Sequence, residues 1–426
     1  MKKFVPFLLL LLLAACAPNG VQVPQSPILK LLERKSGLIA YIGIDGNIYL
    51  TDQAASFTTP LTNDVTAETK NRIAYRLPTW SQDGSHVAFI RLEQIDSDSL
   101  TAELFVANSD DESVTSVFSS ETELPFYLNW SPDNENIGVL STTAAQQTML
   151  LQSIPVNGGE RRILDTGTPF YWSWAPDGKT MIIHKNGATQ GGVSQLSFLR
   201  IDSEVAEFVM KETPAAFQAP AWSPDGNFIL LTTLSEDGAA QNLVLTDSTG
   251  KVEKSLAEID LNTSFSWSPN SEQFAYIAGA EQIQNGAIGS LHIGGIDGGE
   301  EVVVEKDIAG FFWSPNGDEI AYLVPFGATP ENSTQQVLYF ELNVLDIASG
   351  ESHTVATYQP TQEFLSLIPY IDQYQQSTTI WSPDGNNLVI SFLTPSGSSA
   401  IAIVPASGVT EPRLLVEGSF ASWSWK

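Results

Sequence analysis

The chain carries a single cysteine, Cys16, so no disulfide can form within it and its stability must come from packing. Positive charge is also scarce: 20 Lys and Arg stand against 49 Asp and Glu, for a formal net charge of -29. Phosphate backbones are bound by clustered Lys and Arg, and a chain this acidic offers no such surface, which argues against nucleic acid as a partner. The acidity fits an exported protein kept soluble by its charge. Nor is there an apolar run long enough to span a bilayer. The longest, Phe4 to Leu13, is interrupted by Pro6 and falls short of the ~20 residues a span needs.

Catalytic signatures are missing too. The four histidines, His86, His184, His292 and His353, are scattered without short spacings, and there is no Gly-x-Ser-x-Gly elbow or phosphate-binding glycine loop. The acidic groups Asp96-Ser97-Asp98 and Asp110-Asp111-Glu112 do not make a calcium loop and read as solvated loop acids. The expectation is no metal, no cofactor and no catalytic residue.

What is present begins at the N-terminus. Lys2-Lys3, the apolar run and the small residues after it form an export signal. Leu13-Ala14-Ala15-Cys16 resembles the lipobox of bacterial lipoproteins. That resemblance implies cleavage before Cys16 and a diacylglyceryl group on its sulfur, and two acyl chains suffice for stable anchoring. Residues 1–15 are then a signal peptide and 16–37 the lipidated cysteine with a tether containing Pro18, Pro24 and Pro27. Residues 38–426 are expected to form one domain, held outside the cytoplasm on a bacterial outer membrane or the outer leaflet of the plasma membrane.

From Leu38 onward the chain repeats itself. Trp-Ser-Pro-Asp-Gly occurs whole at Trp222 and Trp381, and near copies begin at Trp80, Trp130, Trp174, Trp267 and Trp313. After each come three short apolar runs separated by polar turns, such as Val87–Ile90, Leu104–Ala107 and Val117-Phe118. With Trp425 as the last member, successive tryptophans lie 44 to 50 residues apart except for one gap of 68, between Trp313 and Trp381. Four short strands at this period describe a β-propeller blade. Pro and Asp-Gly punctuate the hairpin between the first strand, a, and the second, b, and each Trp is a wedge between blades.

The chain opens with strands b, c and d that lack their own Trp strand, and it closes on a Trp strand, Ser419 to Trp425, that lacks b, c and d. Pairing these fragments closes the ring without open edges. Eight Trp strands and eight strand sets predict an all-β, eight-bladed propeller; seven blades is the alternative, in which one set is decoration. The Trp-Ser-Pro-Asp-Gly turn followed by an apolar strand resembles the TolB-like, WD40-like repeats of the PD40 type. The resemblance runs from Leu38 to Lys426 and implies a propeller scaffold, which by itself fixes no chemistry.

Loop lengths divide the two faces of such a ring. The a–b and c–d turns are short, whereas b–c connections are long at Glu93–Thr101, Lys185–Ser194, Ala278–Gly289 and Phe326–Gln335, and a d–a insertion runs from Tyr358 to Thr378. Extra loop length is usually functional. Tyr358, Phe364, Tyr370 and Tyr374 in the insertion are therefore candidate partner-binding residues, with burial in the central channel the equally weighted alternative. The expected function is a non-catalytic, lipid-anchored binding scaffold that engages a protein or cell-envelope component through its long-loop face. The runner-up is a channel-centred polysaccharide hydrolase or lyase, which needs facing carboxylates.

Overall fold

Each repeat motif folds as a tight turn joining strands a and b, and its residue types explain why. In the repeat at Trp222, the Gly226 amide donates to the Ser223 carbonyl at 2.9 Å, and Ser223 Oγ donates to Asp225 Oδ1 at 2.6 Å while accepting from the Phe228 amide at 2.9 Å. Gly226 holds φ at +77°, where a Cβ is disfavoured. Asn134 and Ser271 stand in the Gly position of two other turns, with φ of 59° and 62°. Both spend their side chains on the neighbouring turn: Asn134 Oδ1 accepts from the Gln82 amide at 2.9 Å, and Ser271 Oγ from the Asp225 amide at 3.0 Å. The strain of a left-handed residue is thus offset by a bond between blades.

The tryptophans stitch blades together by a second route. An innermost strand has one paired edge and one edge facing the channel, whose carbonyls lack a ladder partner. Trp130 Nε1 donates to the Thr79 carbonyl at 2.9 Å, Trp267 to Ala221 at 3.0 Å and Trp381 to Phe312 at 2.9 Å. In each case the acceptor is the residue before the tryptophan of the preceding motif. Trp80 Nε1 donates to the Ser422 carbonyl at 3.2 Å, which makes Trp423 the last member of the series. The sequence reading of Trp425 as a repeat residue is corrected accordingly. Trp423 is fully buried and is followed by the buried Ser424, as a motif Trp should be, whereas Trp425 is half-buried.

The computed structural model describes residues 36–426 apart from 98, 144–147, 187–193, 202–203, 216–217, 260–262, 284–285, 298 and 330–334. Cys16, the signal peptide and the tether up to residue 35 lie outside the described residues, as do Asp98 and most of the connection Lys185–Ser194. The propeller is all-β apart from short helical turns in the insertion, and it occupies a unit spanning Lys35–Lys426.

The expectation of eight blades is corrected by the sheet topology. The strands form seven hydrogen-bonded sheets, six of four strands and one of six. The larger sheet arises because the last strand, Arg413–Trp423, is continuous. Its first part pairs with Ser399–Pro405, from Ile403 opposite Arg413 to Ala400 opposite Glu417. Its second part pairs with Ile39–Gly43, from Gly43 opposite Gly418 to Ile39 opposite Trp423. Two strand groups that the tryptophan count separates are thereby one sheet, and counted by hydrogen bonding there are seven blades. No strand set is decoration. The second pairing is the closure read from the sequence, and it joins the two ends of the propeller chain.

Three long b–c connections are largely hairpin rather than loop. Strands His86–Gln94 and Leu100–Asn108 pair out to Gln94 opposite Leu100, Gln273–Ile283 and Gly286–Gly295 out to Ile283 opposite Gly286, and Glu319–Ala328 and Val337–Asp346 out to Ala328 opposite Val337. Pairing satisfies backbone groups that an irregular loop would leave to water.

Candidate functional site

The d–a insertion leaves the strand Ser352–Tyr358 by bridging to the strand Asn387–Leu393 of the next sheet, with the Thr361 amide donating to the Ser391 carbonyl at 3.1 Å. Thr361 Oγ1 then caps a helical turn, Gln362–Leu365, which is followed by a 3-10 turn, Ile368–Tyr370, and a second helical turn, Ile371–Tyr374. The polar residues of the last turn reach the channel-facing edges of several inner strands. Gln373 Nε2 donates to the Trp172 carbonyl at 2.9 Å, its Oε1 accepts from the Trp172 amide at 2.9 Å, and its carbonyl accepts from Tyr127 Oη at 2.9 Å. Asp372 Oδ2 accepts from the Ala219 amide at 2.7 Å, Gln375 Nε2 donates to the Phe265 carbonyl at 2.9 Å, and Gln376 Nε2 donates to the Pro220 carbonyl at 3.0 Å. Gly310 lets the segment sit close, since a Cβ there would lie 3.1 Å from Ile371 Cγ1. The insertion is a plug hydrogen-bonded across the channel.

This decides where the four aromatic candidates sit. Tyr358 and Phe364 are buried, Tyr374 Oη donates to the Phe126 carbonyl at 3.0 Å while its ring packs edge-on against Tyr127, and Tyr370 alone is well exposed, at 41%. Three of the four are occupied inside the propeller. Sequence reasoning singled out these aromatics and missed Asp372, Gln373, Gln375 and Gln376. The signal was there: a run of acid and amide groups inside an otherwise apolar insertion needs partners, and bare inner-strand edges supply them.

Behind the plug, on the face that carries the motif turns, lies a cavity of about 470 Å³. Its walls are Trp174, Trp222, Trp267, Trp313, Trp381 and Trp425, together with motif prolines such as Pro176, Pro224 and Pro383. Its floor is Gln375, Gln376, Thr378 and Thr379 of the insertion. Of the repeat tryptophans named from the sequence, Trp80 and Trp130 do not line it and act as buried wedges. Trp222 and Trp313 differ from the other wall tryptophans of the series in being half-buried, with an indole nitrogen that finds no partner among the described residues.

Among the described residues no Asp, Glu, His, Lys or Arg lines the cavity. Asp372 is the nearest acid in the plug by sequence, but it is buried away from the lining, and burial raises its pKa to about 6 against the pull of the Ala219 amide. The histidines stay apart. His184 is buried between the Gln218 carbonyl and Ser194 Oγ and is pushed down to about 4 by that burial, His353 Nε2 meets the Ala406 carbonyl, His86 Nδ1 meets Ser85 Oγ, and His292 stacks on Tyr276. Asp111 is tied to Ser113 in its own turn. Among the described residues no three metal-ligating side chains come together. What the lining can do chemically is bury an apolar surface and exchange neutral hydrogen bonds.

Comparison with known proteins bears on the fold. A family model described as TolB beta propeller domain matches residues 62–298, more than half of the chain. Among solved structures, the chain is similar to a eukaryotic initiation factor (12% identity, TM-score 0.52, covering 91% of this chain and 98% of that one). It is also similar to the β-propeller domain of the Trilobed protease from Pyrococcus furiosus (12% identity, TM-score 0.50, 82% and 99%) and to TolB from Acinetobacter baumannii (14% identity, TM-score 0.38, 79% and 82%). At these identities the first two likenesses are of fold alone. No curated protein matches the chain.

Proposed function

The chain belongs to the TolB beta propeller domain family, and on that premise we propose that it is a non-catalytic binding module, lipid-anchored outside the cytoplasm through Cys16, that takes up its ligand in the cavity on the motif face. The observation that carries this reading is the cavity itself, walled by the repeat tryptophans and prolines and floored by a plug with specific hydrogen bonds. Mostly apolar walls with a few placed polar groups are the usual make-up of a ligand pocket. The polysaccharide hydrolase or lyase reading needs two carboxylates about 5–10 Å apart, and it draws no support from a lining to which the described residues contribute no acid.

The first described residue is tied to the motif face. Ser36 Oγ accepts from the Asp384 amide at 3.0 Å and its carbonyl accepts from Trp423 Nε1 at 2.8 Å. A second reading keeps the opposite face as a protein contact, because Tyr370, Phe326 and Leu338 expose apolar surface there.

A photo-crosslinking residue placed at Trp425 in living cells should capture a ligand, while the same residue at Val409, on an exposed turn, should not. An adduct from Tyr370 and none from Trp425 would move the site to the long-loop face. For the anchor, Cys16→Ser should remove incorporation of labelled fatty acid and release the protein from the membrane fraction. Unchanged fractionation with unchanged labelling would refute lipidation at this residue.

A further inference from the structure

Two polar side chains in the cavity lining are more than nine-tenths buried and have no hydrogen-bond partner among the described residues. They are the amide of Asn129, which precedes the wedge Trp130, and the hydroxyl of Thr378, at the end of the plug; the residues are 5% and 8% exposed. Neither is among the polar atoms sealed from solvent without a partner, so both open onto the cavity. A buried amide or hydroxyl left unmatched is costly, and such groups in a native protein call for a ligand or water. One lies on the wall and the other on the floor, so a ligand bonded to both must sit inside the cavity and not across its mouth.

The geometry points to a neutral saccharide of one or two rings as the occupant, an inference that rests on the binding reading above and names its ligand. Charge decides the first step. An anionic ligand needs Lys or Arg and a cationic one needs carboxylates, and among the described residues none of these lines the cavity. Size and surface decide the second. About 470 Å³ bounded by flat indole and proline rings suits a rigid ring with apolar faces and polar edges. Hydrogen-bond availability decides the third. An extended peptide would look for the channel-edge backbone of the inner strands, but the carbonyls of Asn129, Ala221 and Phe312 already accept from indoles, and those of Pro220 and Phe265 from Gln376 and Gln375. The unpartnered groups of the described lining include the Trp222 and Trp313 indole donors and Gln375 Oε1, and the two that are open to the cavity and nine-tenths buried, the Asn129 amide and the Thr378 hydroxyl, serve equally as donor and acceptor and match sugar hydroxyls.

Titration of the full chain with cellobiose, maltose and N,N′-diacetylchitobiose, followed by tryptophan fluorescence and calorimetry, tests this. A glucuronate-containing disaccharide, glucosamine and a neutral proline-rich peptide serve as controls. At least one neutral disaccharide should bind saturably and perturb the tryptophan signal, with the charged sugars about tenfold weaker or more. Thr378→Val removes a hydroxyl that bonds nothing among the described residues, so its denaturation midpoint should stay at that of the parent while affinity falls about tenfold, the change expected for ~1.4 kcal/mol. Asn129→Ala should lose affinity likewise. Binding unaffected by both variants, or no binding by any neutral disaccharide, overturns the inference. A peptide that binds and is lost in Thr378→Val refutes the saccharide but keeps the cavity as a binding site, whereas failure of every probe together with no crosslink at Trp425 removes both.

Discussion

Trp130→Ala is expected to lower the unfolding free energy by about 3–5 kcal/mol, the range for truncating a large buried aromatic. The side chain is buried and wedged against Leu128, Ile137, Val139 and Ile154, and its indole nitrogen holds the Thr79 carbonyl of the preceding repeat. Losing it opens a cavity between blades and strands a buried carbonyl at the same time. Trp425→Ala provides the contrast. That residue is half-buried at the cavity, lies two positions past the last wedge, and should cost about 1 kcal/mol or less. Urea unfolding of the two variants beside the parent separates the roles. Equal and mild losses would mean that the indole stitch between blades contributes little.

Asp372→Asn is expected to stabilise the protein at neutral pH and to do almost nothing below about pH 4. Burial lifts the Asp372 pKa from an ordinary 3.8 to about 6. Below the ordinary value the carboxyl is protonated in folded and unfolded chains alike, and it carries no penalty. Between the two values the unfolded chain binds fewer protons than the folded one, so stability falls as pH rises, by a total of about 3 kcal/mol once pH exceeds the folded value. Asparagine keeps an oxygen for the Ala219 amide and has no charge to bury, though its amide hydrogens need partners. The net gain should be about 1–3 kcal/mol at pH 7.5. Denaturant unfolding of both proteins at pH 4 and pH 7.5 checks this, and a difference that is the same at both would show that ionisation at this position is not what destabilises the plug.

Much of the fold is legible because the repeat carries its own local physics. Trp-Ser-Pro-Asp-Gly specifies a turn through proline's φ, the Asp and Ser side chains and a left-handed last position, none of which needs a distant partner. The departures are readable on the same terms, since Asn134 and Ser271 are residues that reach a positive φ at modest cost. The choice between Trp423 and Trp425 was readable as well: the other motif tryptophans are followed by Ser or Ala, and Trp423-Ser424 fits that where Trp425-Lys426 does not. The blade count was not. Whether Arg413–Trp423 breaks into strands of two sheets or runs unbroken through one depends on the local twist, and no residue in the strand marks it.

The site shows the same division. A TolB-type propeller, its closure by the last strand and one long insertion all follow from local residue patterns. That the insertion turns inward, that its Asp and Gln side chains bond to inner strands far away in sequence, and that the space left over opens on the motif face are visible in the folded chain alone. The reason is that turns and strand periodicity are fixed by neighbours in sequence, whereas a channel is bounded by residues from every blade. Its filling is settled by which unpaired backbone edges meet which side chains once the ring has closed.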